Sequence, residues 1–311
     1  MSESKENFVK IIFSGLDNAG KTSILTALER KYNFEKEISE LKPTIKVNYQ
    51  STKFLGNDVK FWDMGGQSQY RELYKAKAEF YFADTDLLVY LIDIQDKPRI
   101  PQSLEYLGEI LDFFSDNDMD VPVIVTFHKF DPDLRIDDKL INWVMELKQK
   151  IADDFPDLKI LFQQTSIYDI ISIVQLVSYG LSLFDEKFFE LSELFEKYIG
   201  ILNCLSLILF DKNGIIISEF YSDNINSDMY IEFLEDVREH LFLLKRMEEE
   251  NTLMNDLTDM EGNIISYLHR IEVGNENFFI SSLFDRDSKD KFEEEFVNLK
   301  DATIAILKEI I

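Results

Sequence analysis

A chain of 311 residues is long enough for two domains of ordinary size. With 45 % hydrophobic and 30 % charged residues it reads as a globular protein, not a disordered one. Its 59 acidic residues against 33 basic ones give a net charge of -26. A field of that sign excludes nucleic-acid and anionic-lipid binding through the general surface, although a pocket lined by backbone N–H groups and a lysine can still hold an anion. Cys204 is the only cysteine, so intrachain disulfides are excluded, and its apolar strand-like setting marks an inert core thiol.

The first ten residues are polar and lack the apolar stretch of a secretory leader. No uncharged apolar run is long enough to span a bilayer, residue 2 is Ser, and no Cys stands near the end for prenylation. The expected location is the cytoplasm, with any recruitment to a membrane made indirectly by partners.

In chain order, Phe8 to Phe13 reads as a buried strand. The run Gly15-Leu-Asp-Asn-Ala-Gly20-Lys21-Thr22 follows and fits G-x-x-x-x-G-K-[ST], and Ser23 to Lys31 is amphipathic at helical spacing. Strand, glycine loop and helix form the context this motif needs. The glycines turn the backbone so that its N–H groups point inward, and the helix N-terminus adds partial positive charge. Asp17, Asn18, Ala19, Gly20, Lys21, Thr22 and Ser23 are therefore the expected phosphate cradle, with Lys21 reaching the β- and γ-phosphates and Thr22 offering a hydroxyl to Mg²⁺. Lys46 to Phe54 and Asp58 to Trp62 read as strands joined by a Gly56-Asn57 turn. Leu87 to Ile92, Val121 to Phe127 and Lys159 to Phe162 read as further strands, and Gln102 to Phe114, Asp137 to Ala152 and Asp169 to Phe184 as helices. This alternation implies a mainly parallel sheet covered on both faces, with ligands at the C-terminal ends of its strands.

Three further segments sit at such ends. Asp63-Met-Gly65-Gly66-Gln67 offers a carboxylate for Mg²⁺, backbone N–H groups at Gly65 and Gly66 for a terminal phosphate, and Gln67 to orient an attacking water. Pro43-Thr44 precedes the second strand, where Thr44 can close over a nucleotide and give Mg²⁺ a second hydroxyl. His128-Lys129-Phe130-Asp131 and Thr165-Ser166-Ile167 are placed to read a base. The Asp131 carboxylate can accept from guanine N1–H and the N2 amine, and adenine would leave it unpaired, a mismatch that sites of this kind reject by roughly 10⁴–10⁵. Lys129 can lay its stem along the purine, the Ile167 N–H faces O6, and a ring nitrogen of His128 can meet the purine edge or brace the loops.

Together these segments resemble a small Ras-like GTPase. Gly-Leu-Asp-Asn-Ala-Gly-Lys-Thr, Pro43-Thr44-Ile45 and Trp62-Asp-Met-Gly-Gly-Gln67 are similar to the Arf branch. His-Lys-x-Asp, Thr165-Ser-Ile-Tyr-Asp169 and Phe54-Leu-Gly-Asn57 resemble the Rag/Gtr GTPases, in which His replaces the usual Asn, whereas Asp17-Asn18 departs from the Rag pattern. The resemblance implies a GTP/GDP switch that uses Mg²⁺, is served by activating and exchange proteins, and hydrolyses GTP slowly without them.

Beyond Phe184 the alternation changes. Glu186 to Ile199 reads as a helix, Cys204 to Phe210 and Ile215 to Tyr221 as strands around Asp211-Lys-Asn-Gly214, and Ser227 to Glu249 as a helix. Ile264 to Val273 and Phe278 to Leu283 read as a hairpin across Gly274-Asn275, and Asp287 to Ile310 as a final amphipathic helix. The expected organisation is an α/β GTPase domain over 1–184 and a smaller α+β domain over 185–311. The latter resembles roadblock/longin domains, which in Rag GTPases pair two chains, so a second GTPase chain is the expected partner, as a homodimer or a heterodimer. Two alternatives stand beside this reading: a nucleotide-binding scaffold with negligible hydrolysis, and an Arf-like trafficking GTPase with an appended domain.

Overall fold

The computed structural model describes residues 8–30, 38–54, 57–156, 158–182, 187–212, 216–222, 256–259 and 263–310. These form two compact units that divide between Leu176 and Val177. The expected helix from Ser227 to Glu249 lies outside the described residues, as do Gly56 and the Asn213-Gly214 half of the second turn.

The first unit is built on a six-stranded sheet of β1 (Phe8–Gly15), β2 (Val47–Phe54), β3 (Asn57–Met64), β4 (Leu87–Asp93), β5 (Val123–His128) and β6 (Ile160–Thr165), in the order β2-β3-β1-β4-β5-β6. Only the β2–β3 pair is antiparallel. Its helices are α1 (Lys21–Arg30), α2 (Ser68–Ala76), α3 (Ala78–Phe82), α4 (Ile100–Asp116), α5 (Asp138–Asp154) and α6 (Ile170–Ser182), the last of which crosses into the second unit. Ile12, Leu88, Tyr90, Ile92, Val123, Val125 and Phe127 join α4 and α5 in one core cluster. The alternating residues Ile11, Phe13, Leu87, Val89, Leu91 and Ile124 are buried too. Burial of both residue sets of β1, β4 and β5 is why these strands read as unbroken apolar runs. Asp137 starts α5, its carboxylate accepting from the N–H groups of Lys139 and Leu140.

Five of these strands run further than the apolar runs suggest, and three of the extensions carry residues of the site. β3 continues to Met64, so Asp63 is still paired, with Phe13 on one side and Asn48 on the other. β5 includes His128, and β6 reaches Thr165, whose Cα partner is His128. Backbone pairing continues past the last apolar side chain because it is indifferent to side-chain polarity. Three polar side chains are thereby fixed on ladder positions. Helices α2 and α3 form without a side-chain cap at either start, on the helical spacing of Tyr70, Leu73, Tyr74, Ala78, Tyr81 and Phe82, which the sequence reading passed over.

The second unit contains a five-stranded antiparallel sheet of β7 (Cys204–Asp211), β8 (Ile216–Tyr221), β9 (Asp256–Asp259), β10 (Ile264–Val273) and β11 (Glu276–Asp285), in the order β8-β7-β11-β10-β9. Helices α7 (Lys187–Leu202) and α8 (Lys289–Ile310) pack on one another, α7 against β7 and β8 and α8 against β10. Phe284 stacks on Phe292 at 4.0 Å between centroids, and Tyr267 meets Phe292 and Phe296 edge to face. Cys204 is buried, and burial pushes its thiol pKa up, away from reactivity.

Leu107 on α4 and Leu299 on α8 are each fully buried. Replacing either by Ala should cost about 2–5 kcal/mol, read as a lower urea midpoint by circular dichroism.

Candidate functional site

The site lies along the C-terminal ends of the parallel strands. The phosphate loop between β1 and α1 takes two left-handed turns, at Asn18 (φ 62) and Gly20 (φ 93). A Cβ at Gly20 would lie 2.4 Å from Cδ2 of His128, so only glycine admits both the conformation and the contact. Lys21 opens α1, and its ammonium folds back to donate to Gly15 O at 3.0 Å and Leu16 O at 2.6 Å. Burial lowers its pKa to about 8, against the opposing pull of Asp63 and Asp17. Ala19 is buried, its N–H donating to Leu16 O.

Thr22, Thr44 and Asp63 come from three separate segments and meet at one point. The Thr22 hydroxyl donates to Asp63 Oδ2 at 2.6 Å, the Thr44 hydroxyl to the same oxygen at 3.1 Å, and the two hydroxyl oxygens are 2.8 Å apart. Asp63 is fully buried, and among the described residues its Oδ1 has no hydrogen-bond partner. Desolvation raises its pKa, and the Thr22 bond, the Lys21 charge and the Thr44 bond act against that. An orphaned buried carboxylate oxygen beside two hydroxyls is a hard, all-oxygen donor set that suits Mg²⁺.

A cavity of about 270 Å³ opens over this point, lined by Asp17, Asn18, Gly20, Lys21, Thr22, Ser23, Leu41, Lys42, Pro43, Thr44, Gly66 and Gln67. Gly66 touches the phosphate loop directly. Its carbonyl accepts from the Asp17 N–H at 3.1 Å, and a Cβ there would lie 2.2 Å from Asp17 N. Gly65 N–H donates to Lys46 O at 2.6 Å, tying the same segment to the strand that follows Thr44. Gln67 precedes α2, and its Oε1 accepts from Gln69 Nε2 at 3.0 Å.

The residues expected to read a base lie outside that cavity's lining, at the ends of β5 and β6. His128 is buried, with Nδ1 2.9 Å from Thr165 Oγ1, which is in turn 2.7 Å from Thr126 Oγ1. The opposite side of its ring faces Gly20, so His128 links the two halves of the site. Burial, aided by the Lys129 charge, lowers its pKa to about 3, so the ring is neutral. Lys129 adopts φ 61, and its ammonium pairs with Asp93 Oδ2 at 2.6 Å. Asp131 Oδ1 accepts from Ser166 Oγ at 2.6 Å. Ile167 follows in the turn closed by the Asp169 N–H on Ser166 O.

Sequence reasoning passed over the segment after β4. Arg99 donates through Nη1 to Asp17 Oδ1 and through Nη2 to Asp17 O, both at 3.0 Å, while its Nε holds Asp96. Gln95 reaches Lys129 O and Asp131. No motif marks these residues. Their one legible signal is position, immediately beyond an apolar parallel strand, where ligands gather. Arg71, on α2, donates to Gly66 O at 3.1 Å and lies over the Tyr106 ring.

The model of the ADP-ribosylation factor family matches residues 1–176. The chain is 37 % identical over 129 residues to ADP-ribosylation factor-like protein 3 of Chlamydomonas reinhardtii, a stretch covering 42 % of this chain and 67 % of that protein. It is 40 % identical over 103 residues to ADP-ribosylation factor-like protein 5 of Caenorhabditis elegans, covering 33 % of this chain and 52 % of that one. The matches thus span about two thirds and about half of these relatives' lengths. Among solved structures, the Arl6 BBS3 small GTPase of Trypanosoma brucei with bound nucleotide analogue GppNp aligns with a TM-score of 0.43 at 17 % identity, over 56 % of this chain and 96 % of that one.

His128 sets a pH dependence whose sign is fixed. Its folded pKa, about 3, lies below the ordinary value of 6.5. Stability is therefore complete above pH 6.5 and falls as pH drops through the window toward 3, by about 1.4 kcal/mol per unit at most. His128→Asn should flatten that part of the unfolding profile. An unchanged slope between pH 6.5 and 4.5 would assign the effect to another group.

Proposed function

The chain belongs to the ADP-ribosylation factor family of small GTPases, nucleotide-binding switches that hydrolyse GTP, and on that premise we propose that it binds GTP and GDP with Mg²⁺ and turns GTP over slowly. The observation that carries this reading is the meeting of Thr22 and Thr44 on one oxygen of the buried Asp63 carboxylate, whose other oxygen has no partner among the described residues.

Each residue then has a task. Mg²⁺, held by Thr22, Thr44 and Asp63, would neutralise charge across the phosphates. Lys21 leaves the carbonyls of Gly15 and Leu16 for phosphate oxygens, and its buried ammonium gains most when an anion arrives. The loop from Asp17 to Ser23 cradles the phosphates, and the N–H of Gly66 meets the terminal one. Asp131, Ser166 and Ile167 read guanine, with Lys129 along its face, while neutral His128 braces the base loop against Gly20. Gln67 orients the attacking water. Arg71 and Arg99 are both engaged on backbone carbonyls. Their commitment supports slow intrinsic hydrolysis that an activating protein accelerates by about 10³–10⁵, and an exchange protein would reset the switch.

We assign residues 1–184 to this switch and 185–311 to a pairing domain. The antiparallel sheet bearing α7 and α8 supports a roadblock/longin-like identity, and His128-Lys129-Phe130-Asp131 supports a Rag-like chain that joins a second GTPase, its own copy or a paralogue. Among the described residues no helix is long and apolar enough to cross a membrane. We place the protein in the cytoplasm, with partners making any membrane contact.

In single-turnover assays with Mg²⁺, Gln67→Leu should cut hydrolysis by about 10²-fold or more while leaving GTP affinity intact, on the scale of losing a transition-state contact. Equal turnover by the variant would remove Gln67 from the mechanism. Light scattering of the full chain across concentration should give the mass of a dimer where the chain pairs with its own copy; a constant monomer mass would exclude self-pairing and leave a paralogue as the partner.

A further inference from the structure

Gln95 stands on the segment after β4, in no motif, yet it makes two bonds inside the base-reading loop. Its Nε2 donates to Lys129 O at 2.9 Å and to Asp131 Oδ2 at 2.9 Å. An amide nitrogen carries two hydrogens, so its donor capacity is fully used. Lys129 sits at φ 61, a conformation that L-residues rarely adopt, and the bond to its carbonyl supports that turn. The turn separates His128, which points inward against Gly20, from Lys129, whose ammonium is held outside by Asp93.

The bond to Asp131 bears on the base itself. A carboxylate has about four acceptor sites, two on each oxygen. Ser166 Oγ takes one on Oδ1 at 2.6 Å and Gln95 takes one on Oδ2. One site remains on each oxygen, matching the two N–H groups that guanine presents. A carboxylate held at both oxygens cannot rotate freely about its Cβ–Cγ bond, so its remaining acceptors are aimed before the base arrives. Preorganisation of this kind raises affinity by removing an ordering cost.

We propose that Gln95 is a positioning residue for guanine recognition, aligning the Asp131 carboxylate and the Lys129 turn so that both N–H groups of the base are met together. This rests on the reading of the pocket as a guanine-nucleotide site. Gln95 is not among the residues that line the cavity over Thr22 and Asp63, and its side chain bonds the Lys129–Asp131 loop, so its influence is on the base edge and is the same for GDP and GTP.

The test is equilibrium binding of GDP, inosine diphosphate and ADP to the full chain with Mg²⁺. Inosine keeps N1–H and lacks the N2 amine, so it needs only one acceptor and tolerates a rotated carboxylate. The wild-type chain should prefer GDP to ADP strongly. If ADP binds as well, the guanine reading fails, and this proposal falls with it. Given that preference, Gln95→Ala should weaken GDP by about tenfold, the scale of one hydrogen bond to a charged group, and inosine diphosphate by about threefold or less. The GDP-to-inosine ratio should therefore shrink. Gln95→Glu has the same length but no N–H, and it sets a second acid beside Asp131, so it should bind GDP more weakly than Gln95→Ala. Gln95 is exposed, so both variants should keep the wild-type urea midpoint. Tighter GDP binding by Gln95→Ala would make Gln95 a competitor of the base and overturn the proposal. So would an unchanged affinity, or equal weakening of GDP and inosine diphosphate, which marks a general effect on the loop.

Discussion

The carboxylate of Asp63 is buried in the first unit with one oxygen held by the hydroxyls of Thr22 and Thr44 and the other bonded to no described group. An isolated charge in that position is costly, and two neutral hydroxyls offset only part of the cost. The rest of the site follows from that imbalance. Lys21 lies close enough to act on Asp63 but spends its own donors on Gly15 and Leu16. The two charges therefore stay half-compensated, an arrangement poised for a metal cation and a phosphate to complete. In a chain of net charge -26 this is also what lets an anionic ligand settle at all.

Holding such a site open needs a stiff frame, and the frame is distributed. The phosphate loop is gripped from three sides: Gly66 O on the Asp17 N–H, the Arg99 guanidinium on the Asp17 carboxylate and carbonyl, and the His128 ring against Gly20. Of these contacts, the one through Gly66 sits on a segment that also touches Lys46, just beyond Thr44. Movement of the Gly65–Gly66 backbone would therefore be felt at both the phosphate loop and the threonine that reaches Asp63. That shared linkage is what a switch requires: two loops, far apart in sequence, joined through one short backbone segment.

The parts most legible from sequence were those in which one residue type is dictated by local backbone chemistry. Gly15, Gly20, Lys21 and Thr22 declare a phosphate loop because a nest of N–H groups tolerates few alternatives, and the apolar strand runs declare a sheet buried on both faces. The Gly274-Asn275 turn likewise announced the β10–β11 hairpin, with Val273 paired to Glu276 across it. Less legible were α2 and α3: Tyr74 and Tyr81, edge to face at 4.8 Å, are buried at helical spacing, but the stretch is short and rich in charged residues and has no side-chain cap at either helix start. The contribution of the segment from Asp93 to Arg99 was not legible at all, because a Gln or Arg on a loop looks solvated until its acceptors are known.

The sequence by itself determined the identity and order of the chemical groups: the glycine loop, the carboxylate and threonines, the Gln, and the segment proposed to read a base, with His128 in place of Asn. Each belongs to a short stretch whose chemistry is local. Only the tertiary structure decided how those groups meet. Strand pairing carries Asp63 between Phe13 and Asn48, and His128 beside Thr165. It also brings Arg99 within reach of Asp17, and Gln95 within reach of Asp131. Contacts spanning tens of residues arise from sheet register and loop path. Neither leaves a periodic trace in the chain, because a hydrogen bond constrains the distance between two atoms and not the number of residues between them.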